Sequence, residues 1–367
     1  MNFALSDEQE LLKEAARGAL ARVKTVEAAR EALDGNGLPD LWPTAVDAGW
    51  PGLLISEEHD GAGLGALDGM LVFAELGRVL ASVPLLGHLP ATLLLDAGGA
   101  DGLEALASGE RRAAFVAAKP PSAIEEAWTA DPVSGLRRAP APVIGDGTVT
   151  GSAAWVPDAP GADVLVVAGA DGRVAAVEAA DAEIEPVKGY DATRSLGHVR
   201  FDAAPAVALD ADAATAWYLA QSLLAAEAVG AIELALEASV QYAKERFTFG
   251  RAIGSYQAVK HELVEILRRL ENARSLMYYV GWAAADKPEE LPVAASAFRL
   301  VASEGLNHAA RTLISVHGGI GATWEHDAPL YFRRAQLGKR LLGGTGDAAD
   351  RVADELFAQA REGAVAG

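Results

Sequence analysis

Residues 214–246 constrain the fold more than any other stretch. They are rich in Ala and Leu and almost free of Gly, and they read as one long helix. A helix of that length cannot bury its apolar side alone. Residues 255–286 and 291–318 continue the helical pattern with short loops between, which predicts an antiparallel bundle in the last third of the chain. The Ala content suits close helix packing and subunit contacts.

The rest of the chain changes character twice. Residues 1–110 read as helices: Ser6 precedes Asp7, Glu8 and Glu10, an N-cap followed by acids in the first turn. Residues 49–84 are a Gly-rich loop feeding an apolar helix. From 111 to 208 short Val- and Ala-rich runs (113–117, 164–168, 174–177 and 199–201) alternate with Gly, Pro and Asp, as strands with tight turns do. Pro120, Pro121, Pro132, Pro140 and Pro142 disfavour helix between the first two runs. The expectation is an α+β chain: a helical domain over 1–110, a small β barrel or sheet domain over 111–208 and a helical bundle over 209–367. At 367 residues the chain also exceeds what one core usually supports.

Several classes of function are excluded at this point. A net charge of −20 argues against nucleic acid or an anionic membrane as partner. With no cysteine there is no disulfide, thiolate metal site or cysteine nucleophile. The seven histidines lack metal-ligand spacing, so no metal is expected. The N-terminus lacks the basic and apolar regions of a signal peptide, and residues 83–97 are too short and too interrupted to span a bilayer. A cytoplasmic location follows as the default.

Two motifs carry the chemistry. RFTFGRAIGSYQ (residues 246–257) follows the long helix, and SVHGGIGATWEHD (residues 315–327) comes one helical hairpin later. In this order, within a helical C-terminal third, they resemble the acyl-CoA dehydrogenase family, whose R-x-x-F-G and Gly-Gly-x-Gly segments hold the adenosine and diphosphate end of an FAD shared between two subunits. The resemblance implies that Arg246 pairs with a diphosphate oxygen, which its planar fork suits better than Lys would. It places Phe249 on the adenine side and Gln257 on the nucleotide. It makes Gly318, Gly319 and Gly321 a close backbone approach to the cofactor. Thr345, in LLGGTGD, matches the Thr of the family's Glu-Gly-Thr, and Trp155 matches the Trp of the strand that contacts the isoalloxazine ring. FAD is thus the implied cofactor and an acyl-CoA thioester the implied substrate.

The chain departs from the family in three places. In the Gly-rich loop Ser56 stands where Pro is frequent and Asp60 where Gly is, in the Gly-Gly-x-Gly segment Ser315 stands where Gln is usual, and at the reacting end Pro157 stands at the hydroxyl position of the flavin strand. A Pro offers the flavin neither a hydroxyl nor an N–H. The family's reaction removes the α-proton and passes the β-hydrogen as hydride to the flavin, which requires a positioned carboxylate. The usual base position is Gly343 and an alternative family position is Ala220; neither can act. Glu227, on an apolar stripe with Leu223, Leu224, Ala231 and Leu234, is the remaining acid of interest, either as base or as a buried structural acid paired to an Arg. Glu325 is a second candidate, and also reads as a helix-start acid after Thr323.

Three functional readings follow. The first is a half-site subunit that works in an α2β2 heterotetramer with a catalytic paralogous subunit, on bulky CoA thioesters such as steroid side chains. The second is a self-contained homotetramer using Glu227 or another acid, and the third a non-catalytic scaffold.

Overall fold

The computed structural model describes residues 4–33, 35, 37–121, 125–133 and 137–366, with side chains as far as residue 358. Six helices come first: α1 (Asp7–Leu20), α2 (Thr25–Leu33), α3 (Trp42–Asp47), α4 (Ala66–Arg78), α5 (Leu85–Ala97) and α6 (Leu103–Ala107). Ser6 caps α1 as expected. Its Oγ accepts the Gln9 N–H at 3.2 Å while Gln9 Oε1 accepts the Ser6 N–H at 3.1 Å, a reciprocal capping box.

Strands follow as β1 (Ala113–Val116), β2 (Trp128–Ala130), β3 (Arg138–Pro140), β4 (Val143–Ile144), β5 (Thr148–Pro157), β6 (Val164–Ala168), β7 (Val174–Glu178), β8 (Glu183–Pro186), β9 (Leu196–Pro205) and β10 (Val207–Leu209). One sheet has the order β1-β6-β7-β10 with β1 parallel to β6, and a second has the order β4-β5-β9-β8. Val116, Leu165 and Val167 of the first pack against Val149, Val199 and Phe201 of the second. The four Val- and Ala-rich runs fall in strands, the first passing the end of β1 by one residue, Ala117. The four runs do not mark β5, which the sequence offered only through Trp155 and whose register is broken by two irregularities. Nor do they mark β2–β4, β8 and β10, which are short or half exposed, so burial imposes no alternation on them.

Helices then return as α7 (Ala213–Glu245), a hairpin of β11 (Phe247–Thr248) and β12 (Arg251–Ala252), α8 (Gln257–Asp286), α9 (Leu291–His317), α10 (Ala328–Gly338) and α11 (Gly344–Ala366). The fold is therefore that of an N-terminal helical part, a middle β part and a C-terminal helical bundle. One apolar core runs from α4 through α7 to α9 and α10, joining the first and last parts. The approach of α4 to α7 is set by two glycines. A Cβ on Gly230 would lie 1.7 Å from the Ala74 carbonyl oxygen, and one on Gly77 would lie 1.9 Å from that of Glu227. Gly77 and Gly230 thus mark backbone-to-backbone packing. The polar face of α7 pairs outward: Arg78 of α4 holds Glu233 at 3.0 Å and Glu237 at 2.6 Å.

The β part is fastened by buried polar groups. His88 of α5 accepts the Ala113 N–H on Nδ1 at 3.0 Å and donates from Nε2 to the Pro51 carbonyl at 3.2 Å. Burial pushes its pKa down to about 4. Asp158, just past β5, accepts the Gly87 N–H at 2.8 Å in the first turn of α5. Burial pushes the Asp158 carboxyl up to about 6 against the opposing pull of Arg194. No helix among the described residues is long and apolar enough to cross a membrane.

Candidate functional site

The expected site residues separate into three groups in space. The first lies at the C-terminal end of α7. Phe249 and Gly250 are the two loop residues of the β11–β12 hairpin, both with positive φ (55° and 79°), the twist that matches a two-residue hairpin. Phe249 is 92% exposed and Phe247 64%, and both sit beside Arg246, which is also exposed. Arg246 has no carboxylate partner among the described residues. The Gly-Gly-x-Gly turn is brought to this same end by a stack of rings: Tyr242 lies 4.2 Å from His317, and His317 4.2 Å from His326. Gln257 opens α8 alongside, with an exposed side chain.

The three glycines differ in why they are glycine. Gly318 ends α9 with φ 65°, which favours Gly there. A Cβ on Gly321 would meet the Ile314 carbonyl oxygen at 2.6 Å, so the chain's own packing forbids one. Gly319 has helical φ and open space around its Cβ position, so nothing within this chain demands it. Exposed aromatics, an unpaired Arg and a bare backbone turn fit the adenosine and diphosphate of a dinucleotide that is covered from outside the chain.

The second group lines a cleft of about 860 Å³ between the β part and the start of α11. Trp155, Pro157, Gly343 and Thr345 all lie in its wall, with Trp128 and Trp217 beside them. Trp155 has φ 58° at an irregularity in the β5–β9 register, and its indole N–H donates to the Asp131 carbonyl at 3.3 Å. Pro157 is buried against Gly87 of α5. The loop that carries Gly343 is held from behind: Gln221 donates to the Leu342 carbonyl at 3.0 Å, and the buried Arg299 donates to that of Leu341 at 3.0 Å. Gly343 itself has φ 79°, and a Cβ there would sit 3.1 Å from Asp347 Oδ2 and 3.2 Å from the Trp217 ring. The usual base position is therefore inert, and a side chain on it would be both strained and crowded. Ala220, the alternative position, is 1% exposed and equally inert. These residues do not fit an isoalloxazine ring poised for hydride transfer, because the donor at 157 and the carboxylate at 343 are both missing.

Two acids line this cleft, Asp347 and Asp350, and Asp347 is the one beside Gly343. Asp347, in the first turn of α11, is nine-tenths buried and lies 3.5 Å from Lys119 Nζ. Burial raises its pKa from the ordinary carboxylate value, while Lys119 pulls it back. Neither it nor Lys119 stood out in the sequence, since the acid begins a helix as many acids do.

The third group is Glu227, which the structure brings to neither place. One carboxylate oxygen accepts from Arg194 and the other from Arg334. Arg334 also binds Asp191 at 2.8 Å and the Thr193 carbonyl at 2.7 Å. All four side chains are almost completely buried where α7, α10 and the loop after β8 meet. A carboxylate saturated by two guanidinium groups has no free oxygen for an α-proton, and the geometry matches the structural alternative for this residue. Arg194 and Arg334 escaped notice because partners more than thirty residues away leave no local pattern. Glu325 is exposed in the loop before α10, and Thr323 donates back to the Ile320 carbonyl at 2.8 Å instead of capping a helix at Glu325.

Comparison with known proteins identifies the family. Family models described as the acyl-CoA dehydrogenase N-terminal domain and C-terminal domain match residues 6–102 and 215–356. The acyl-CoA dehydrogenase IpdE2 of Mycolicibacterium smegmatis is 31% identical over 96% of this chain and 100% of its own length. Its Mycobacterium tuberculosis counterpart is 33% identical, covering 96% and 98%. Among solved structures, the Tcur3481-Tcur3483 steroid ACAD superposes with a TM-score of 0.83 at 28% identity, covering 97% of this chain and 99% of that one. The ChsE4-ChsE5 complex from Mycobacterium tuberculosis gives 0.83 at 25% identity with the same coverage. The chain belongs to the acyl-CoA dehydrogenase family, FAD-dependent oxidoreductases that act on acyl-CoA thioesters.

Proposed function

We propose that this chain is a half-site subunit: it supplies the adenosine and diphosphate side of an FAD site that a catalytic paralogous subunit completes in an α2β2 assembly. One observation carries the reading. The hairpin with Arg246 and the cleft with Trp155 and Gly343 stand at opposite ends of α7, about 40 Å apart at 1.5 Å per residue from Trp217 to Arg246. That exceeds the span of one FAD, so each end needs a second chain. The hairpin end keeps Arg246, Phe249 and Gln257, while the cleft end lacks a donor at Pro157 and a carboxylate at Gly343.

In this reading Arg246 holds the diphosphate, Phe249 packs on the adenine, Gln257 hydrogen-bonds the nucleotide, and Gly318, Gly319 and Gly321 admit it to the backbone. The bound FAD would accept hydride within the partner's cleft. The α-proton would go to the partner's carboxylate, and this chain's residues would bind and orient. The similar ChsE4-ChsE5 structure is of a complex, and the Tcur3481-Tcur3483 protein is a steroid ACAD, which supports a heteromer acting on a bulky, ring-bearing CoA thioester.

A second reading has one observation in its favour. Asp347 puts a carboxylate beside Gly343, where a self-contained homotetramer would need a base. Purification separates the two. The half-site reading expects the chain alone to be colourless or weakly yellow and to turn yellow on co-expression with a partner that carries Glu at the position equivalent to Gly343. A yellow homotetramer whose flavin is bleached by thioester would overturn it.

A further inference from the structure

A cleft that has lost its flavin contacts has not lost its shape. At about 860 Å³ it lies within the range of small-molecule sites, and its wall is aromatic and aliphatic: Trp128, Trp155, Trp217, Leu196 and Leu341. Its charge runs against that of the chain. Acids outnumber bases 51 to 31 overall, yet Arg138, Lys188, Lys339 and Arg340 line this cleft against Asp347 and Asp350. Arg138 is paired with Glu125 and Lys339 with Glu304, so the charge offered to a ligand is that of the edge. Lys188 and Arg340 are exposed at its edge and have no carboxylate partner among the described residues. Arg138 lies 4.7 Å above the Trp128 ring. The buried Trp128 Nε1 donor has no hydrogen-bond partner among the described residues, a deficit that an acceptor on a ligand would remove.

An apolar aromatic wall, a buried donor and a cationic mouth suit an amphipathic anion: an apolar body, a carbonyl acceptor, and phosphates that remain near solvent. We propose that this cleft binds an acyl-CoA thioester without flavin, as a second, non-catalytic site in each half-site subunit. The inference rests on the half-site reading, since a cleft containing FAD would be an active site instead. No bond is made or broken there. Pro157 and Gly343 are then what keep the site silent, and the ligand is held unreacted next to a working cleft in the partner.

The test uses an octyl-CoA thioether, which cannot be dehydrogenated. The heterotetramer is titrated calorimetrically after its flavin has been counted, with tryptophan fluorescence and the flavin spectrum followed in parallel. The expected result is four thioether sites for two FAD. Two perturb the flavin, and two quench tryptophan and leave the flavin spectrum unchanged. The double variant Lys188→Glu/Arg340→Glu, which alters only exposed side chains, should weaken the flavin-silent pair at least tenfold and spare the other pair. Two FAD with only two thioether sites, at concentrations that saturate the flavin-proximal pair, overturns the inference and leaves the half-site reading intact. Four FAD overturns the half-site reading itself.

Discussion

At one end of α7 the chain exposes what a soluble protein usually hides, and at the other it buries what an enzyme of this family needs open. The hairpin end presents Phe249 and Phe247 to solvent, an Arg246 with no carboxylate partner among the described residues, and a Gly319 that its own packing does not require. The cleft end closes around Gly343 with Asp347 and Trp217, and sets a buried Pro157 where a donor is expected. Surface that is costly to leave exposed persists where something outside the chain covers it. A reacting group is dispensable where another chain supplies it. The two ends therefore point to one division of labour, in which this chain lends cofactor contacts outward and performs no proton abstraction within.

The first way to break this comparison is through Glu227, which belongs to neither end. Glu227→Gln leaves Arg194 and Arg334 buried beside a neutral amide, and breaking such a pair costs about 3–5 kcal/mol. Melting temperature should fall steeply while FAD binding per folded assembly stays unchanged. A normal melting temperature with lost turnover would make Glu227 the base after all.

Arg246→Ala tests the hairpin end. A charge-assisted contact of this kind should be worth roughly a ten- to hundredfold loss in FAD affinity, and Arg246→Lys should recover only part of it. Thr345→Val at the cleft end should leave FAD affinity in place. Equal losses at both ends, read from flavin absorbance, would erase the distinction between them.

How the parts are fastened together has a signature in pH. His88 titrates near 4 in the fold against an ordinary 6.5, so its contribution is present above 6.5 and declines by about 2 kcal/mol from pH 7 to 5. Asp158 titrates near 6 against an ordinary 3.8. Its buried charge is therefore a cost above pH 6 that acidification relieves, by about 1 kcal/mol over the same interval. The two nearly offset. Asp158→Asn removes the relief, so the melting temperature of that variant should drop more between pH 7 and 5 than that of the natural chain. An unchanged pH profile would place the Asp158 titration elsewhere.

The smallest effect concerns backbone strain. Phe249 occupies the left-handed region at φ 55°, where Asn is far better tolerated. Phe249→Asn should stabilise the chain alone by up to about 1 kcal/mol and weaken FAD-dependent assembly. Gains in both would argue that Phe249 contacts nothing beyond its own chain.

Much of the fold was legible because its strongest elements are local. The Ala- and Leu-rich run became α7, residue for residue within one position at each end, because periodicity and the absence of breakers decide a helix without outside help. The four apolar runs became strands for the same reason. The hairpin group was legible as a motif, and its residues do gather at one end of the bundle, drawn together by the Tyr242–His317–His326 stack. What stayed hidden is set by contacts distant in sequence. The Arg194–Glu227–Arg334–Asp191 network joins segments more than a hundred residues apart. Asp347 became a cleft carboxylate only because the loop holding Gly343 folds back on Trp217. Gly77 and Gly230 are glycines inside helices, but nothing in one chain's order says that they face each other.

The central claim is that one chain completes only half of its cofactor sites, and counting flavin tests it most directly. This chain is co-expressed with a paralogue that carries Glu at the position equivalent to Gly343, the tetramer is isolated, and FAD is released and measured against protein. Two FAD per four chains are expected, with little or none on this chain purified alone. Four FAD per tetramer, or a full complement on a homotetramer of this chain, would contradict it.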